Sequence, residues 1–120
     1  MRDSTQVHKS QSDPEVRIAV LYGNPAEEGH YVVRFAFPPS NAGRPHTHGE
    51  AELITVLSGT CYLAHGDVLT DEAANKLSPG TLVAMPAGTK MRVFTDADGC
   101  VMDVQGQGPR MMDAEVGQEN

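Results

Sequence analysis

Tryptophan is absent, and three tyrosines and three phenylalanines bring aromatic residues to only 5% of the 120-residue chain. That is too few rings for a platform on which bases or sugars stack. Cationic side chains are short as well: nine Lys and Arg stand against sixteen Asp and Glu, for a formal net charge of −7. Binding to nucleic acid draws mainly on Lys and Arg neutralising phosphates, so no nucleic-acid partner is expected. An anionic membrane surface would repel the chain too. No apolar run approaches the ~20 residues of a membrane helix, and residues 1–6 lack the hydrophobic stretch of a signal peptide. The chain therefore reads as cytoplasmic, with no membrane partner. There is no GxGxxG or GxxxxGK[ST] phosphate loop and no GxSxG elbow, which sets nucleotide-dependent chemistry and that class of serine hydrolase aside. Cysteine is scarce. Cys61 and Cys100 each sit alone in an apolar stretch without CxxC spacing, so neither a disulfide framework nor a thiolate zinc site is expected, and both read as small core side chains.

What is present is a series of short apolar runs: 16–22, 31–37, 52–57, 60–64, 81–85, 91–95 and 100–105. Turn signals separate them, among them Gly23-Asn24-Pro25, Pro38-Pro39, Ser58-Gly59, Pro86-Ala87-Gly88 and Asp98-Gly99. Runs of this length and spacing predict about seven strands in an all-β sandwich or barrel. Only residues 71–76 could wind into helix, and one and a half turns decorate a loop rather than carry a fold. The length allows one domain, with a polar, flexible or docking arm over 1–15, the barrel over 16–110 and a tail over 111–120. The tail reads as a segment lying along the surface, with the Met111-Met112 pair, alternatively, a candidate to cover a pocket mouth or a partner subunit.

The segment that carries chemistry is Pro45-His46-Thr47-His48-Gly49-Glu50-Ala51-Glu52. In an extended chain residues of equal parity face the same way. His46, His48 and Glu52 share parity, which makes a 2-His-1-carboxylate set if strand geometry runs through the segment. Glu50 has the same parity and is the rival carboxylate.

The wider pattern His46-x-His48-x3-Glu52-x6-Gly59, followed by Gly80-x5-Pro86-x-Gly88, resembles the two sequence motifs of the cupin superfamily. From about residue 18 to 110 the chain resembles small single-domain bacterial cupins. The resemblance implies a six-to-eight-stranded jelly-roll β-barrel, a metal in its mouth and often a homodimer. It also implies a third histidine ligand three residues beyond Gly88 and an asparagine further on; this chain has Met91 and Thr95 there, and Ser40 in place of the first motif's leading glycine. A thioether is a poor donor to hard divalent ions.

Three arrangements are compatible with these residues. In one, His46, His48 and Glu52 hold a divalent ion (Fe, Mn, Zn, Ni or Cu) that acts on a small, oxygen-rich organic substrate by oxygenase, isomerase, cyclase or lyase chemistry. In another the metal is absent and Glu52 or a histidine moves a proton, as in an isomerase, cyclase or lyase. In the third the barrel only binds a small molecule. Around the site, Arg34 is a candidate to anchor substrate charge as a bidentate cation, with pairing to an outer acidic residue as its bland alternative. Met91, Asp103, Gln105 and Tyr62 are candidate pocket residues. Met85 and Met102 read as apolar filler, and His65 as an exposed loop residue. His8 and His30 carry no role.

Overall fold

The computed structural model describes residues 7–9, 13 and 15–110. The strands are β1 Val7–Lys9, β2 Arg17–Tyr22, β3 Gly29–Phe37, β4 Glu52–Gly59, β5 Cys61–His65, β6 Asn75–Leu77, β7 Leu82–Met85, β8 Met91–Phe94 and β9 Cys100–Gly108. They form a six-stranded sheet ordered β1-β2-β3-β9-β4-β7 and a three-stranded sheet ordered β6-β5-β8. Every pairing is antiparallel. The Met111-Met112 suggestion falls outside the described residues, whereas residues 7–9 of the expected arm pair with 19–17 of β2.

Alternation decides which side chains go inside. Tyr31, Val33 and Phe35 on β3, Ile54 and Val56 on β4, Met91 and Val93 on β8, and Met102 and Val104 on β9 are buried together. Their neighbours at odd spacing take the opposite face, as the period of two requires, and most of them are less buried, Phe94 being the exception at 6% exposure. Two strands escaped the sequence reading: β1 at residues 7–9, read as part of the arm, and β6, whose residues 75–77, the first two inside the helical segment expected over 71–76, pair with 63–61 of β5, while the helical turn shrinks to a 3-10 turn over Asp71–Ala73. A three-residue strand has too little pattern to be seen. For β6 the ladder with β5 supplies what local preference lacks.

The two cysteines also differ from expectation. Each is buried, but they form a disulfide, because the start of β5 in one sheet and the start of β9 in the other bring their Cα atoms to 5.5 Å. That separation suits a disulfide, and 39 residues of intervening chain hide it from any local motif. Disulfides persist mainly in oxidising surroundings, so the bond lends no support to a cytoplasmic location. No helix among the described residues is long and apolar enough to cross a membrane.

Between β3 and β4 the chain runs antiparallel to β8. Thr95 N–H donates to the Asn41 carbonyl at 2.9 Å, and His46 and Met91 exchange both backbone hydrogen bonds at 2.9 Å. Gly43, between these ties, has φ 70°, and a Cβ there would overlap the Val93 carbonyl oxygen. Gly43→Ala should therefore destabilise the protein by more than the roughly 1–2 kcal/mol that a left-handed backbone costs an alanine. Gly88, with φ 79° and open space around it, supplies the control. Urea denaturation of both variants measures the difference, and equal costs would mean that the segment shifts freely off β8.

Candidate functional site

His46 sits at an isolated bridge to Met91, the chain bends at residues 49–50, and strand geometry resumes only at Glu52. Parity still sets His48 beside both Glu52 and His46. Glu52 and His48 are 3% and 5% exposed, whereas Glu50 lies on the bend in solvent. The rival carboxylate is thereby removed. The second motif holds the first in place: Gly88 N–H donates to the His48 carbonyl at 2.8 Å.

The His46 and His48 rings meet edge to face with centroids 4.7 Å apart. His46 Nδ1 lies 2.9 Å from the Arg44 carbonyl. A carbonyl only accepts, so Nδ1 is the protonated nitrogen and Nε2 carries the lone pair. His48 Nε2 stands 3.4 Å from Glu52 Oε1, too far for a good hydrogen bond. Neither ring nitrogen of His48 has a hydrogen-bond partner among the described residues. Burial, then the positive charge of Arg110, then His46 hold the His48 pKa far below its ordinary value. It is a neutral imidazole, and its contact with Glu52 is not an ion pair.

The other carboxylate oxygen of Glu52 is fully engaged. Tyr31 Oη donates to Oε2 at 2.9 Å and Arg110 Nε donates to the same atom at 2.8 Å. Tyr31, Gly106 and Glu52 lie in register across β3, β9 and β4. Gly106 leaves room for the tyrosine between them: a Cβ there would stand 2.9 Å from the Ala51 carbonyl oxygen and 3.1 Å from Tyr31 Oη. Burial first, and the adjacent Glu52 carboxylate second, raise the Tyr31 pKa. The phenol stays protonated and donating. Arg110 comes from just past β9, and its guanidinium lies 5.3 Å from the centre of the Phe35 ring.

His46, His48, Glu52 and Arg110 line a cavity of about 80 Å³ whose walls are largely apolar and include Val16, Phe35, Phe37, Ile54, Met91 and Met102. Met91 is 2% exposed and lines it, with its backbone tied to His46. Arg34 does not reach it. The guanidinium lies on the outer face of the large sheet and makes a bidentate pair with Asp103, 2.7 and 3.0 Å, across the β3–β9 register. The assignment of Arg34 as substrate anchor is corrected accordingly, in favour of its bland alternative. Asp103 is the partner in that pair. Gln105, two residues on, is on the same outer face against His30 Nε2 at 3.1 Å. Tyr62 is on the small sheet, stacked on Phe94 at 5.2 Å. None of the four lines this cavity. The physical reason is shared: in a closed barrel the core face is also the cavity wall, so a side chain opposite the core cannot reach the mouth.

Sequence reasoning missed Tyr31, Arg110 and Asn41 as site residues. Tyr31 carried a signal, being the one core-face residue of β3 with a polar tip. Arg110 follows Gly108-Pro109, where strand parity ends. Among the described residues no three His, Cys, Asp or Glu side chains form a ready-made metal-binding group.

No protein-family model matches the chain, and no curated protein matches it. Solved structures do. The polyketide cyclase RemF from Streptomyces resistomycificus is 21% identical, with a TM-score of 0.75 over 92% of this chain and 82% of that one. An RmlC-like cupin from Shewanella frigidimarina NCIMB 400 is 14% identical, with a TM-score of 0.72 over 89% and 86%. KdgF from Halomonas sp. is 20% identical, with a TM-score of 0.64 over 88% and 90%. At these identities the likeness is one of fold.

Proposed function

Starting from a chain that has the cupin fold, we propose that it is an enzyme acting on a small organic molecule in the barrel cavity, with a divalent metal ion held by His46, His48 and Glu52. The observation that carries this reading is the pair His48 Nε2 and Glu52 Oε1. At 3.4 Å they are poorly spaced for a hydrogen bond. Two donor atoms bound to one metal at about 2.1 Å each, however, stand about 3.0–3.4 Å apart at octahedral to tetrahedral angles. His48 is neutral, as a ligand must be, and both its ring nitrogens are buried without a hydrogen-bond partner among the described residues. The Arg44 carbonyl sets the His46 tautomer that a metal-binding Nε2 requires.

When bound, a divalent ion supplies Lewis-acid polarisation of a substrate oxygen or redox chemistry, according to its identity. The protein's own groups do the rest. Tyr31 and Arg110 clamp Oε2 of Glu52, which fixes the carboxylate plane and leaves Oε1 toward His48. The apolar wall holds the body of the substrate and keeps the polar end dry, where electrostatic interactions are strongest. Met91 occupies the place of a further ligand with an apolar side chain and leaves that position to substrate.

A specific observation favours a second reading. Arg110 already places a cation on Glu52, so the site can stand without metal, with Glu52 orienting and a histidine moving the proton. Elemental analysis by plasma mass spectrometry separates the two, using untagged protein purified without added metal and His46→Ala as the control. Near-stoichiometric metal that disappears in the variant is the expected result. Metal no higher than in the variant, after incubation with each of Fe, Mn, Zn, Ni and Cu, would transfer the assignment to the metal-free site.

A further inference from the structure

Asn41 lines the same cavity and is 4% exposed. It is held on every side but one. Its backbone N–H donates to Thr95 Oγ1 at 2.9 Å, its carbonyl accepts from Thr95 N–H at 2.9 Å, and Thr95 Oγ1 donates onward to the Pro38 carbonyl at 2.6 Å. The side-chain Nδ2 donates to Asp13 Oδ2 at 3.1 Å. An ionised carboxylate only accepts, so the amide nitrogen must face Asp13 and the flip of the amide is settled. The oxygen, Oδ1, has no hydrogen-bond partner among the described residues. A buried acceptor left in that condition is costly unless something else satisfies it.

We propose that Asn41 Oδ1 is the acceptor by which the cavity selects a substrate bearing a hydroxyl or N–H donor on an otherwise apolar body. This rests on the reading that the cavity binds a small organic molecule, and not on the metal. Asn41 stands opposite Thr95, the residue just past β8, and His46 opposite Met91 at its start; four residues of extended chain span about 13 Å. The donor is recognised at one end and the reaction takes place at the other. Of the residues that line the cavity, Phe37 and Val93 offer no hydrogen bond.

Asp13 makes the idea testable without removing Asn41. Asp13 Oδ1 is pinned by the Glu15 N–H at 3.0 Å. In Asp13→Asn the new side-chain oxygen stays on that N–H, and the new NH2 group faces Asn41. The Asn41 amide must then turn its oxygen to residue 13 and its NH2 to the cavity, which inverts the preference from donors to acceptors. The probes are phenol, which donates, benzaldehyde, which only accepts, and toluene as the apolar reference, titrated by NMR and calorimetry. In the parent protein phenol should bind about tenfold tighter than benzaldehyde, the scale of one net hydrogen bond. Asp13→Asn should reverse the order, and Asn41→Leu should bring all three probes together. His46→Ala should leave the phenol preference intact; if it removes the preference, phenol is held at the His46 end and the assignment to Asn41 is wrong. An unchanged order in Asp13→Asn, or no phenol binding by the parent protein, would equally overturn it. Failure of the metal reading would show in the elemental analysis and leave these ratios untouched.

Discussion

Glu52→Ala should cost about 3–5 kcal/mol of folding stability, the scale of breaking a buried ion pair by deleting one partner. The carboxylate is 3% exposed and the Arg110 side chain 9%. Its removal takes away the carboxylate oxygen to which both the Arg110 guanidinium and the Tyr31 hydroxyl donate. Glu52→Gln separates structure from chemistry. The amide oxygen can still accept from Tyr31 and Arg110, so stability should fall much less, while metal affinity should fall with the lost negative charge. Chemical denaturation of the three proteins, alongside metal content, tests both halves. If Glu52→Ala proved as stable as its parent, the Arg110–Glu52–Tyr31 cluster would be no structural element, and the clamp on Oε2 would have to be abandoned.

The second large effect is a gain. Met91→His should tighten divalent metal binding by on the order of a hundredfold, since each donor of a four-ligand site supplies several kcal/mol of the total. The geometry supports this because Met91 lines the cavity and its backbone is tied to that of His46 on both sides. Competition titration with a chromogenic chelator, using zinc as the probe ion, reads the affinity directly. The variant also loses an apolar wall residue that is 2% exposed, so some stability in the metal-free protein should be traded for it. Unchanged affinity in a folded variant would mean that residue 91 does not face the position bounded by His46, His48 and Glu52.

Much of this protein is legible along the chain, because period-two alternation is a local property. Seven of the nine strands among the described residues have visible apolar runs, and parity sets His48 beside both Glu52 and His46 even though the strand itself begins only at Glu52. The choice between Glu50 and Glu52 is not local. It depends on a bend at residues 49–50 that turns Glu50 to solvent. Alternation also assigns Tyr31, Val33 and Phe35 to one face and Arg34 to the other. It does not tell that the core face and the cavity wall are one surface, and that closure is what sends Arg34 outward to Asp103.

The sequence by itself determined the all-β class and the turns, and it singled out residues 46–52 as the candidate segment, since each depends on near neighbours. The tertiary structure alone decided the contacts between distant segments: Cys61 with Cys100, Arg110 and Tyr31 on Glu52, and Asn41 on Asp13. Those pairs are separated by 21 to 58 residues and share no spacing rule. They exist because two sheets close around one core, and closure is a property of the whole chain.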